Sequence, residues 1–275
     1  MTGLDDKTFL SLELGDDRLS GIAVVCHRLT APGGGFYGGA ALALACSMME
    51  YATDLPTVWC TAQLVSRATL DDVVDLRSSV IAGRQTTQLR ITATVSGREL
   101  FTACGATGAG DPRLSKTFVA MLTVSAPEES PPVKWFFNTD PEHTYFGVVE
   151  FREATVLARA GCEPPARAFW VRFKDAPTWT AARLAFVADL ASTGIVQAAN
   201  KAVPGRWYGR SLDSTLRAGS TTESEWVLVA LHPELVHSGF GQGTVRLWDP
   251  DGSLLGVGSQ TFMLKDAGSS GVART

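Results

Sequence analysis

The stretch Trp170–Asp189, WVRFKDAPTWTAARLAFVAD, runs an apolar helix into a carboxylate, and its surroundings decide the fold. Ala168–Phe173 reads as a strand, and Thr178–Ala191 as a helix with Ala182, Ala185, Phe186 and Leu190 along one stripe. A long loop is expected around Ser192–Trp207. Only strand patterns follow: Tyr208–Leu216, Glu225–Leu231, Gly243–Trp248 and Leu254–Leu264, with Asp251-Gly252 turning the last pair. Phe146–Ala158 reads as a strand before the helix.

The same order stands earlier in the chain. Phe9–Leu14 and Gly21–Leu29 read as short strands, followed by a Gly-rich turn and a helix over Gly38–Asp54, GGAALALACSMMEYATD. That helix has no polar face beyond Glu50, so protein must surround it. Strands follow at Val58–Arg67, Val73–Ala82, Gln88–Ser96 and Glu99–Thr107. In Gln88–Ser96, Leu89, Ile91, Ala93 and Val95 alternate with Arg90, Thr92, Thr94 and Ser96, which is the mark of an antiparallel sheet with one wet face. LRITATVSGRELFTACG from Leu89 and VRLWDPDGSLLGVGSQ from Val245 align with Gly97 on Gly252, and Asp54 aligns with Asp189. One motif is therefore written twice. The class is α+β: two curved antiparallel sheets, each wrapped around a long apolar helix. The expected limits are 1–110 and 142–264 for the two units, 111–141 for a Gly-, Pro- and Ser-rich linker, and 265–275 for a flexible tail.

The 275 residues suit roughly two units of ~150 residues. With 24 basic against 28 acidic residues, the net charge of −4 argues against a general nucleic-acid binder. Five scattered cysteines (Cys26, Cys46, Cys60, Cys104, Cys162) form no CxxC, so neither a disulfide framework nor a metal site is expected, and a reducing compartment fits. MTGLDDKTFLSLEL has acids where a signal peptide has bases. Leu29–Met49 is uncharged, but only Gly38–Met49 reads as continuous helix, too short for a bilayer. The expectation is a cytoplasmic protein without a membrane partner.

Gly33-Gly34-Gly35-Phe36-Tyr37-Gly38 fits GxGxxG, yet no crossover helices follow, so a turn is the better reading than a dinucleotide site. No GxSxG, HExxH or P-loop is present, and Gly209-Arg210-Ser211-Leu212-Asp213 lacks the second glycine of a serine elbow. His27, His143, His232 and His237 have no partner at ligand spacing. Glu50 and Asp189 each sit among apolar neighbours, where a carboxylate needs hydrogen bonds or a raised pKa.

Phe36–Ala45 (FYGGAALALA), Trp170–Asp189, Ser211–Trp226 (SLDSTLRAGSTTESEW) and Gly252–Leu264 (GSLLGVGSQTFML) together resemble the acyl-CoA thioesterase II family, the double-hotdog thioesterases. The resemblance runs from about Phe9 to Leu264. It implies an acyl-CoA substrate, hydrolysis to a carboxylic acid and CoA, and no cofactor. It also implies a water held by an Asp ending the second helix, a Ser or Thr before a strand Asp, and a Gln on the last strand. Those positions are Asp189, Ser211 and Gln260; the first half has Gly105 where the second has Gln260. The chain departs from the family pattern at Thr180, Phe186, Ala188 and Ser214. Asp189 is assigned as base or water-orienter, with Ser211 and Gln260 as orienters. The turn Gly83-Arg84-Gln85 resembles the family's Gly-Arg-Ser turn and is the candidate CoA contact. A non-catalytic acyl-thioester-binding or partner-binding protein is the alternative, and a hotdog hydratase ranks below both for want of a His near Asp189. The resemblance also implies a homodimer, since hotdog sheet edges tend to pair across subunits.

Overall fold

Antiparallel pairing organises the chain from end to end. The computed structural model describes residues 5–135, 140–158, 167–174 and 178–269. In chain order the elements are α1 (Asp6–Leu10), β1 (Leu12–Leu14), β2 (Ser20–Val24), α2 (Gly38–Thr53), β3 (Thr57–Leu64), β4 (Val73–Gly83), β5 (Thr86–Val95) and β6 (Arg98–Gly108). Then come β7 (Thr123–Val124), β8 (Val149–Glu153), β9 (Val156–Ala158), β10 (Arg167–Phe173), α3 (Ala181–Ala188), α4 (Ala191–Ala202), β11 (Trp207–Ser211), β12 (Asp213–Ala218), β13 (Val227–His237), β14 (Phe240–Trp248) and β15 (Leu254–Asp266).

Twelve strands follow one path, β1-β2-β4-β5-β6-β3-β12-β15-β14-β13-β10-β8, with β11 also on β15. Read outward from the β3–β12 seam, the two sides match strand for strand: β6 with β15, β5 with β14, β4 with β13. The duplication is therefore topological as well as sequential. The expectation of two separate sheets is corrected: β3 and β12 pair in register from Asp213↔Gln63 to Arg217↔Trp59, and a Thr61–Thr215 hydroxyl pair at 3.0 Å crosses the seam. A strand edge on each half leaves backbone groups unpaired, and joining the edges satisfies both.

The alternation in β5 does what its sequence dictates. Leu89, Ile91 and Ala93 are buried while Arg90 and Thr92 are exposed. Ser96 (φ 49°) and Gly97 (φ 78°) make the two-residue turn into β6, with the positive φ values such a hairpin needs. The Gly33–Gly35 segment is a turn, tied by Arg67 Nη2 donating to the Gly33 carbonyl at 2.9 Å, and every sheet pairing is antiparallel, so no dinucleotide unit forms.

α2 packs against α3, β3 and β6, and Gly39–Cys46, Met48 and Met49 are all buried. Both helices belong to one core shared by the two halves. No helix among the described residues is long and apolar enough to cross a membrane.

Local expectations change too: the helix expected over Thr178–Ala191 is the short α3, Phe146 lies in a 3-10 turn with the strands beyond it split into β8 and β9, and the strand expected over Tyr208–Leu216 breaks at Leu212. Phe9 and Leu10 are helical, because Asp5 caps α1 by accepting the Thr8 N–H at 2.8 Å, and buried Arg183 ties Asp6 to α3 at 3.0 Å. The strand expected over Gly21–Leu29 stops at Val24, and His27–Leu29 is a 3-10 turn. Ser192–Ala202 is not loop but α4, which buries Ile195, Val196 and Ala199; β-branched residues and Gly194 hid its helical period. Lys265 and Asp266 belong to β15, paired with Tyr208 and Trp207. The expected tail at 270–275, residues 136–139 of the expected linker, and Cys162 lie outside the described residues.

Candidate active site

α3 ends after two turns, and its C-cap residue is Asp189, with α4 starting at Ala191. The break points the Asp189 carboxylate inward, where only 2 % of the residue is exposed. It lies against the N-terminus of α2. A Cβ at Gly38 would stand 2.8 Å from Asp189 Oδ1, and one at Gly39 would stand 2.1 Å from the Phe186 carbonyl. Both positions must be glycine for the helices to approach this closely. The Gly39 N–H, a donor that the first turn of a helix leaves unpaired, lies near the carboxylate and favours its charged form.

Gln260, on β15, is equally buried. Its Nε2 donates to Asp189 Oδ1 and, at 2.8 Å, to Ser211 Oγ at the end of β11. The three residues expected to act together are therefore joined through one amide. Burial is the dominant influence on Asp189 and pushes its pKa up to about 8, with the nearby Asp213 charge adding to the rise. Ser214, Gly39 and Gln260 oppose it. Desolvation wins because a handful of neutral donors cannot replace the hydration of a carboxylate.

Hydrogen-bond demand around this carboxylate is not fully met. Among the described residues, Gln260 Oε1, Ser214 Oγ and Tyr37 Oη are buried without a hydrogen-bond partner. An unmet buried polar atom costs ~1–3 kcal/mol, so three beside one carboxylate mark a place for polar ligand atoms. Ser214 lies next to Asp189 and stabilises its charge, although no well-aligned bond joins them.

Asp54 is the C-cap of α2 as Asp189 is of α3, but it does not share the burial of Asp189. It is the exposed, left-handed cap of α2 (φ 56°) and pairs with Arg18. Glu50 accepts the Thr57 N–H at 2.8 Å and is a helix-end acid bonded to backbone. Gly83, Arg84 and Gln85 lie at the β4–β5 turn, where the Arg84 N–H donates to the Thr86 carbonyl at 3.2 Å. Arg84 is exposed, and no bond among the described residues joins this turn to Asp189. A cavity of about 140 Å³ is lined by Asp213, Glu234, Thr244, Ser259, Gln260 and Thr261, so it shares Gln260 with the carboxylate site.

Sequence reasoning missed Gly38, Gly39 and Tyr37. The available signal was two glycines opening a helix otherwise built of Ala and Leu, where each costs ~1 kcal/mol relative to Ala and so needs a reason.

Residues 126–264 match the family model described as acyl-CoA thioesterase C-terminal domain. A search of the curated proteins finds no match. Among solved structures, a candidate thioesterase from Novosphingobium aromaticivorans DSM 12444 is 31% identical, with a TM-score of 0.81 over 92% of this chain and 98% of that one. A hot dog fold protein of unknown function from Alicyclobacillus acidocaldarius is 17% identical, with a TM-score of 0.75 over 94% of this chain and 97% of that one. An acyl-CoA thioesterase II from Mycobacterium marinum is 15% identical, with a TM-score of 0.74 over 98% of this chain and all of the other, which speaks to the fold alone.

Proposed function

We propose, from the premise that this chain belongs to the acyl-CoA thioesterase family, that it hydrolyses an acyl-CoA thioester to a carboxylic acid and CoA at Asp189. Family membership makes it a thioester hydrolase. The matched strand order supports reading residues 1–110 and 142–264 as two hotdogs joined by 111–141. The observation that carries the site is the convergence of Asp189, Ser211 and Gln260 from α3, β11 and β15 on one amide.

Hydrolysis needs a water held against the carbonyl carbon and a base to take its proton. Asp189 supplies the base. A carboxylate with a pKa near 8 is a far stronger base than one in water, although only its ionised fraction acts. Gln260 Oε1 and the Ser211 hydroxyl can hold the water without titrating. Exposed Arg84 offers a cation for the CoA phosphates.

Release of CoA from a panel of acyl-CoA thioesters tests this. Asp189→Ala and Asp189→Asn should lower kcat roughly 10²–10⁴-fold. Because the base must be ionised, wild-type kcat/KM should rise with pH up to a limb near 8. Unchanged turnover in both variants, or a rate flat across that limb, would refute the assignment.

A further inference from the structure

Most hydrogen-bond donors around Asp189 already face it or its partners. Both N–H groups of the Gln260 amide are committed, one to Asp189 and one to Ser211. The Gly39 N–H and Ser214 lie near the carboxylate and favour its charged form. A hydrolase also needs a donor for the oxygen on which charge develops.

Tyr37 offers an uncommitted donor near that carboxylate. It is the N-cap residue of α2, yet its side chain caps nothing. Its backbone N–H is fixed by the Leu29 carbonyl at 2.9 Å. Its ring stacks on Tyr145 at 4.4 Å between centroids and meets Phe186 edge-on at 4.8 Å, three residues before Asp189. The hydroxyl-bearing end of the ring lies over Gly39, since a Cβ there would stand 2.8 Å from Tyr37 Cζ. Phenol and carboxylate thus flank the same first turn of α2. Tyr37 is 6 % exposed, and its hydroxyl is buried with no partner among the described residues. Burial, and after it the Asp189 charge, holds this phenol protonated.

We propose that Tyr37 is a further catalytic residue, whose O–H donates to the thioester carbonyl oxygen. The inference rests on the hydrolase reading of Asp189. Water oxygen bonds to the carbonyl carbon, its proton passes to Asp189, and the π pair moves onto the oxygen held by Tyr37. Collapse re-forms the carbonyl, breaks the C–S bond, and returns the proton from Asp189 to sulfur. The products are the carboxylic acid and CoA thiol.

Tyr37→Phe removes the hydroxyl and keeps the ring stack, with Tyr145→Phe as the packing control. The expected result is a kcat lower by roughly 10²-fold in Tyr37→Phe with KM little changed, and near-normal turnover in Tyr145→Phe. A bound ketone analogue of acyl-CoA, with methylene replacing sulfur, gives a readout without turnover. Its carbonyl stretch should lie at lower frequency in the wild type than in Tyr37→Phe. Equal frequencies, turnover of Tyr37→Phe within threefold of wild type, or equal losses in both variants would each overturn the proposal. Activity lost in Asp189→Ala but retained in Tyr37→Phe removes Tyr37 alone. Activity indifferent to Asp189→Ala removes the hydrolytic site itself.

Discussion

The two halves build the same place out of opposite chemistry. In the N-terminal half, Gly105 on β6 pairs with Cys60 on β3, and the side chain of Met49 from α2 fills the space above it. In the C-terminal half the corresponding strands are β15 and β12. There Gln260 and Ser214 lie one step beyond the Thr215↔Ser259 pair, and Asp189 comes down from α3. A thioether, a hydrogen and a thiol stand where the other half has a carboxylate, an amide and a hydroxyl. The helix starts differ in the reverse sense. Thr180 caps α3 with its own hydroxyl, accepting the Arg183 N–H at 3.2 Å, so that end asks nothing of the other half. Tyr37 gives α2 no such cap, and the Gly39 N–H lies near Asp189 instead. Among the described residues the N-terminal half holds no matching carboxylate–amide pair, and the start of its α2 lies against the one in the other half.

The sharpest way to break this comparison is to restore the missing amide. In Gly105→Gln, the new Cβ would stand 2.4 Å from the Trp59 carbonyl and 2.7 Å from Met49 Sδ. Met49 can shift, whereas a paired strand carbonyl cannot without disturbing the sheet. Overpacking of this kind costs about 3 kcal/mol. The urea midpoint should fall accordingly, with no gain in hydrolysis. A variant as stable as wild type would mean that the first half holds room for a second polar set.

Much of this division was legible in the amino-acid sequence. Period-two alternation in β5 and the matched Gly97 and Gly252 turns showed antiparallel units written twice, and Gly105 opposite Gln260 in the alignment marked the first site as empty of its amide. Asp189, Ser211 and Gln260 were named through family resemblance, and folding brings them together. What stayed hidden depends on contacts between the halves. The β3–β12 seam joins strands about 150 residues apart, which no local pattern encodes. Gly38 and Gly39 read only as the start of the α2 helix, because what crowds them, the Asp189 carboxylate and the Phe186 carbonyl, lies on another helix. Asp54 and Asp189 align as helix ends and each is a C-cap, yet only Asp189 is buried, which spacing does not reveal. α4 was missed since its buried stripe of Ile195, Val196 and Ala199 is short and β-branched.

A smaller effect separates the acids of the two halves by their pH dependence. The folded pKa of Asp189 is raised to about 8 from an ordinary 3.8. The folded state therefore holds a proton that the unfolded chain has released. Stability is complete below about pH 4 and declines as pH rises through about 8, by a total on the order of a few kcal/mol. Asp189→Asn keeps an acceptor for Gln260 and removes the charge. Its Tm should exceed that of wild type at pH 8, and the gap should close toward pH 4. A gap that does not vary with pH would mean that the carboxylate is hydrated. Asp54→Asn, at the exposed end of α2, should show no such trend, because its Arg18 partner holds that carboxyl below the usual range.

The smallest expected effect asks whether the N-terminal half touches substrate at its surface as well as at its helix start. Arg84 sits at the β4–β5 turn, exposed and outside any ion pair among the described residues. A guanidinium meeting a phosphate in open solvent contributes no more than ~1 kcal/mol, because water and salt screen it. Arg84→Ala should therefore raise KM for an acyl-CoA by roughly fivefold or less, with kcat unchanged. The increase should shrink as ionic strength rises, and it should vanish for a thioester of a short thiol that carries no phosphate. A loss of kcat instead would place this turn in the chemistry of Asp189. No change with either substrate would confine the contribution of the first half to α2.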